Sequence, residues 1–161
     1  MKKLLLLLAL ALPMLAMTSC DDDDKVPNVD VTVSFEGTTR VGNTLYLVKD
    51  QPLNITAVTL KDLGGKGAVI GGVNYFWDYF RIGASIVSPY SMEFATEGIP
   101  AGNHLLQMTM SIYAVDYSPC EALLEYKVVI VDSEDDIPSD GDIEPDPVLP
   151  ASVHAIDTDD D

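Results

Sequence analysis

The sequence predicts an all-β domain, an antiparallel two-sheet sandwich of about seven to eight short strands. Three observations carry this. Apolar residues alternate with polar ones at period two in several segments. Turn signals rich in Gly, Pro, Asn and Asp separate those segments every several residues. No stretch between residues 26 and 131 shows an amphipathic helical period, and no internal repeat is present. Connections this short leave no room for helical crossovers, so antiparallel pairing is expected throughout.

The strands follow in order. Asn28 to Phe35 places Val29, Val31, Val33 and Phe35 on one face and Asp30, Thr32 and Ser34 on the other. Thr44 to Val48 is a second strand with Leu45 and Leu47 inward, and Lys49-Asp50-Gln51-Pro52 turns the chain. Leu53 to Leu60 is a third, with Leu53, Ile55 and Ala57 in phase. Ala68 to Ile82 holds one or two strands, with Gly71-Gly72 marking a bulge. Ile86-Val87 is a candidate edge strand, and Tyr90 to Phe94 is another short one. The strongest alternation runs from His104 to Asp116, with Leu106, Met108, Met110, Ile112 and Ala114 facing one way. Cys120 to Val131 returns beside it, with Cys120, Ala122, Leu124, Tyr126, Val128 and Ile130 in phase.

Residues 1–25 are an address. Met1-Lys2-Lys3 is a basic start, and Leu4 to Met17 is a 14-residue apolar run broken only by Pro13. That is shorter than the roughly 20 residues a membrane span requires, and it has the layout of a cleaved export signal. Met17-Thr18-Ser19-Cys20 resembles the lipobox of bacterial lipoproteins, although that pattern prefers Leu at the position of Met17. The resemblance implies cleavage before Cys20 and acylation of Cys20, with several acyl chains giving stable anchoring. The acidic run Asp21, Asp22, Asp23, Asp24 resembles the surface-export signal of Bacteroidetes lipoproteins, which implies display on the outer face of the outer membrane. Two alternatives are a plain solvated tether, with the protein at the periplasmic face, and, together with Lys25, a protease-cleavage sequence of the kind used to remove tags, which is unexpected directly after an intact signal. The chain thus divides into a signal peptide (1–19), a lipidated acidic tether (20–27), the sandwich (28–131) and an acidic tail (132–161).

The formal charge of −17 sits in the flanks. Residues 132–161 carry twelve acids and no Lys or Arg, whereas residues 26–131 carry ten acids and six bases. This excludes the counterion-releasing basic surface that nucleic-acid binding requires, so no nucleic acid is expected as a partner. The tail also holds four Pro and few large apolar groups, a composition that predicts disorder. Asp140-Gly141-Asp142 suggests a calcium loop, but aligning Gly141 with the central glycine puts Pro138 and Pro147 at ligand positions. No metal and no cofactor is expected.

Catalytic constellations are weak. Gly64-Gly65-Lys66-Gly67 lacks the ending of a phosphate-binding loop. Asp78, Glu93, Glu97 and Asp116 show no context that would pair two of them for glycoside chemistry. A Ser-His-Asp triad would have to use His104, at a corner that reads as structural. Cys120, left alone once Cys20 is acylated, is open to three readings: a core thiol, an intermolecular disulfide or a nucleophile. Its phase with Ala122 and Leu124 favours the core.

Tyr75-Phe76-Trp77-Asp78, the corner Ile99-Pro100-Ala101-Gly102-Asn103-His104 and the long strand that follows are similar to an immunoglobulin-like module of the PKD type. The resemblance covers residues 28–131 and implies an immunoglobulin-like sandwich. The chain departs from the pattern after Asp78, reading Tyr79-Phe80-Arg81-Ile82 where the family has Phe-Gly-Asp-Gly.

One feature promises chemistry. If the strand is continuous, Tyr75, Trp77 and Tyr79 share a face, while Phe76, Asp78, Phe80 and Ile82 share the other. An outward Tyr75-Trp77-Tyr79 face would form an aromatic platform for sugar rings or a protein surface. Alternatively Trp77 is the core tryptophan of the sandwich. Two functions follow. One is a non-catalytic binding or adhesion module at the cell surface, serving glycan capture or a surface assembly. The other is a structural spacer docked to a larger outer-membrane protein complex.

Overall fold

The computed structural model describes residues 26–139 and the backbone of 152–155; the segment expected to be an export signal, Cys20 and the Asp21–Asp24 run lie outside the described residues. Ten strands follow in order: β1 (Val29–Glu36), β2 (Thr39–Val41), β3 (Thr44–Val48), β4 (Leu53–Asp62), β5 (Val69–Trp77), β6 (Phe80–Ser85), β7 (Met92–Phe94), β8 (Gly102–Tyr113), β9 (Cys120–Val131) and β10 (Ser152–Ala155). A small sheet has the order β1-β4-β7. A larger one has the order β2-β3-β9-β8-β5-β6, with β10 also paired to β9. With β1, β4 and β7 as strands A, B and E, and β5, β8 and β9 as C, F and G, this is the immunoglobulin-like sandwich. Among the described residues no helix is long and apolar enough to cross a membrane.

The core lies between the sheets. Val33, Leu53, Ile55 and Val58 enter it from the small sheet; Leu45, Leu47, Tyr75, Trp77, Met108, Met110, Leu124 and Val128 are among those entering from the large one. Each large apolar side chain withdrawn from water here contributes about 1.5–3 kcal/mol. The alternation of β8 and β9 translates directly into burial: Leu106, Met108, Met110 and Ile112 are fully enclosed, as are Cys120, Ala122 and Val128. Cys120 is 1 % exposed, and that burial closes the intermolecular disulfide reading and pushes its thiol pKa up.

Several expectations need correction. Pairing is antiparallel except between β3 and β9, which run parallel with Thr44 opposite Lys127 and Val48 opposite Val131. The short-connection argument does not constrain these two, because they come from distant parts of the chain and no short connection joins them. The hairpin partner of β3, β2, was not foreseen; its three residues are too few to show a period. In β4, Ala57 is not in phase with Leu53 and Ile55. A register shift opposite Ser34 and Phe35 leaves Thr56 without a partner, and Val58 becomes the inward residue. Ile86-Val87 is an exposed loop rather than a strand. Ala114 lies just past the end of β8 and is only half-buried.

The expected bulge at Gly71-Gly72 is present: the β5–β8 register skips Gly71 between Ile70 and Gly72. The segment 132–161, expected to lack structure, contributes a 3-10 turn at Glu134–Asp136 and the strand β10. Asp140-Gly141-Asp142 lies outside the described residues.

The registers define two ends. At one end β1 starts beside the end of β4, with Val29 opposite Asp62. The loops 63–68, 86–91 and 114–119 gather there, tied by Leu63 N–H to Asn28 O and Val115 N–H to Lys66 O, both 2.9 Å. At the other end lie the β5–β6 turn and the 95–101 corner, with Trp77 opposite both Phe80 and Leu106.

Candidate functional site

The β5–β6 turn splits the aromatic run. Trp77 pairs with Phe80, which leaves Asp78-Tyr79 as a two-residue hairpin turn. Both have positive φ, 47° and 70°, as the mirror-image turn that matches strand twist requires. Asp tolerates this conformation. Tyr does so at a cost of about 1–2 kcal/mol, since its Cβ crowds the following carbonyl.

The turn is held from β8. Oδ1 of Asp78 accepts from the Leu105 N–H at 2.8 Å, and Asp78 N–H donates to the Leu105 carbonyl at 2.9 Å. Oδ2 of Asp78 lies 2.7 Å from Nδ1 of His104, whose Nε2 lies 3.0 Å from the Pro100 carbonyl oxygen. The imidazole stacks on Trp77, with ring centroids 5.0 Å apart and planes 29° apart. Phe94 of β7 packs against the same indole at 5.2 Å. The corner Ile99 to His104 therefore clamps the turn to the sandwich. An Asp–His pair is two-thirds of a hydrolytic triad, but here the second ring nitrogen is committed to a backbone carbonyl and faces no nucleophile.

The proposed Tyr75-Trp77-Tyr79 platform does not form as one face. Tyr75 is 0 % and Trp77 is 5 % exposed, so both are core. The Tyr75 hydroxyl donates to the Tyr90 carbonyl, and burial pushes its pKa up to about 12. Tyr90 in turn donates to the Ile70 carbonyl at 2.7 Å, tying the 86–91 loop across the sheets. Nε1 of Trp77 is buried and meets no acceptor among the described residues, a cost of about 1–3 kcal/mol. Tyr79, by contrast, is 75 % exposed and Phe80 78 %. Continuous alternation failed as a guide here because the turn intervenes: Phe80 falls opposite Trp77 instead of joining Phe76. Phe76 stays half-buried on the outer face of the large sheet, beside the Arg81–Asn74 hydrogen bond of 3.1 Å.

An open concavity of about 390 Å³ lies at the opposite sheet edge, lined by Gly37, Thr39, Tyr46, Val48, Glu134 and Ile137. Among the described residues no group of three or more His, Cys, Asp or Glu side chains is placed to hold a metal ion. Glu93 and Glu97 lie exposed on and after β7. Asp116 is occupied by Lys66 Nζ at 2.9 Å.

Comparison with known proteins adds little at the level of sequence: no protein-family model matches the chain, and no curated protein matches it significantly. Among solved structures, it is similar to fibronectin(III)-like modules of Clostridium thermocellum CbhA, at 19% identity and a TM-score of 0.42. The match covers 65% of this chain and 47% of that one, so the chain spans about half the length of the structure it matches.

Proposed function

We propose that this chain is a lipid-anchored surface protein of the outer membrane whose sandwich is a non-catalytic binding module. Acylated Cys20 holds it, and Tyr79 and Phe80 take up carbohydrate at the end of the sandwich remote from the tether. The observation that carries the reading is the pair of adjacent, outward aromatics on a conformationally costly turn. Backbone strain of this kind persists where surrounding structure enforces it, and here Asp78, His104 and Leu105 supply the enforcement. Exposed ring faces suit the apolar faces of sugars. The anchoring half of the proposal is supported by the Met17 to Cys20 motif and the acidic run after it.

The test of the ligand is retardation of the chain in gels containing defined polysaccharides, for the native sequence and the Tyr79→Ala/Phe80→Ala double variant. Two lost stacking contacts, at about 0.5–1.5 kcal/mol each, lower affinity by roughly five-fold to more than a hundred-fold. If no polysaccharide retards the native chain, but outer-membrane proteins co-purify with it and not with the double variant, the spacer reading replaces this one. The anchor is tested separately by the mass of the chain recovered from membranes and its change in Cys20→Ser.

A further inference from the structure

Nine large apolar side chains are exposed among the described residues, and they are not scattered. Tyr79 and Phe80 occupy the turn just described. The remaining seven sit at the other end. Val26 precedes β1, Leu63 and Val69 flank the β4–β5 loop, Ile86 and Val87 form the loop after β6, and Tyr113 and Val115 lead into the β8–β9 loop. The side chains of Tyr113 and Ile86 both lie close to the glycine pair 71–72, so the loops converge around β5.

Two of the acids at this end are engaged, while Asp30 (opposite Lys61) and Glu121 are exposed. Asp62 accepts from the Gly64 N–H at 3.0 Å and the Ala68 N–H at 3.1 Å; the N–H of Ala68 is the main reason its carboxyl is held below the usual range. Asp116 is bound by Lys66. Lys61 is exposed and adds a positive charge. The loops themselves are therefore largely apolar, with their acids Asp62 and Asp116 engaged, although the acidic flanks join the sandwich at this same end through Val26 and Ala155.

The tether enters at this end. Val26 follows Cys20 by six residues, a stretch that spans at most about 20 Å even when fully extended. The twelve-residue β8 runs from one end of the sandwich to the other, about 40 Å. A chain held at Cys20 keeps the apolar loops within reach of the surface that holds it. The Tyr79 turn stays a strand length further away.

We propose that the loop end formed by Leu63, Val69, Ile86, Val87, Tyr113 and Val115 rests in the headgroup region of the bilayer and orients the sandwich with its Tyr79 turn outward. This rests on the anchored reading given above. An apolar rim beside an acyl anchor is a second membrane contact of the shallow, interfacial kind, and Tyr113 has the amphipathic ring favoured at that depth. The lipid expected is neutral, since Asp21 to Asp24 in the tether repel an anionic surface.

The test uses residues 20–161, which contain every described element, coupled through the Cys20 thiol to a maleimide lipid in phosphatidylcholine vesicles with brominated acyl chains. Cys120 is buried and does not compete. Coupling removes any dependence on acylation in the cell, so failure of the anchored reading, read from the native mass, is separate from failure of this one. Trp77 of the parent reports the far end. Val115→Trp and, independently, Ile86→Trp place a second indole at the rim, on exposed positions that leave the core intact. Quenching of the added indole by bromine roughly two-fold or more above that of the parent is the expected result, at the depth of an interfacial contact. Equal quenching in parent and both variants, whether absent or present, overturns the proposal.

Discussion

Asp78 and His104, twenty-six residues apart in the chain, meet with 2.7 Å between the carboxylate and Nδ1, and the other oxygen of the same carboxylate takes the Leu105 N–H at 2.8 Å. One side chain thus caps a hairpin turn, orients an imidazole beneath the core tryptophan and ties β5 to β8. Replacing it by Ala leaves a turn residue poorly suited to positive φ and removes both bonds. Asp78→Ala is expected to lower the unfolding free energy by about 1–3 kcal/mol in urea titration. Asp78→Asn keeps an acceptor and the tolerance of positive φ and should cost clearly less; equal losses would mean that the carboxylate is not what holds the turn.

Tyr79 occupies a conformation better suited to Asn or Gly. Because its side chain is largely in water, Tyr79→Asn gives up little packing. It should stabilise the domain by about 1 kcal/mol while weakening the proposed carbohydrate binding. Thermal unfolding and gel retardation on the same variant check both halves. A destabilised variant would show that the tyrosine ring makes packing contacts that outweigh the backbone cost.

Gly71 marks the bulge in β5, and a Cβ built there lies 2.3 Å from Cε2 of Tyr113. The ring is partly exposed and can swing aside, so Gly71→Ala should cost about 1 kcal/mol, at the low end for an overpacked site. Tyr113→Ala in the same chain should relieve most of that cost. A double-mutant cycle with no coupling between the two positions would place the strain in the backbone of the bulge.

Alkaline pH should unfold the domain earlier than its surface charge alone would suggest. Tyr75 and Cys120 are acids that burial keeps protonated, Tyr75 from 10.0 up to about 12 and Cys120 upward from 9.0. The unfolded chain releases these protons at the ordinary values, so above about pH 9 it holds fewer protons than the folded chain. Stability is then lost as pH rises toward 12. Denaturant midpoints between pH 8 and 12 should fall, and Tyr75→Phe should flatten the upper part of that fall while lowering stability at neutral pH through the lost bond to Tyr90. An unchanged slope in Tyr75→Phe would assign the alkaline loss elsewhere.

Much of the sandwich was legible because a strand with one face in the core must alternate. The inward sets of β8 and β9, and Leu45 and Leu47 of β3, follow from period two alone, and so does the burial of Cys120. Legibility ended where the register changed by a single residue. The Thr56 bulge exchanged Ala57 for Val58, and the Asp78-Tyr79 turn separated Tyr79 from Tyr75 and Trp77. A tyrosine at positive φ sends no local signal of a turn, because nothing in its own chemistry favours that conformation. The β5–β6 pairing and the Asp78 contacts with β8, made across twenty-six and twenty-seven residues, hold it there.

The sequence by itself determined most of the strand segments, the buried faces of β3, β8 and β9, and the confinement of acidity to the flanks. All of these depend on neighbours along the chain. The tertiary structure alone decided what depends on neighbours in space. It brought β3 parallel to β9, set His104 between Asp78 and Pro100, and left Tyr79 and Phe80 bare at one end. At the other end it gathered seven apolar side chains from separate segments, beside Val26 where the described chain begins. Such groupings arise when sheet register brings loops together, and register is fixed by the packing of the whole core rather than by any one strand.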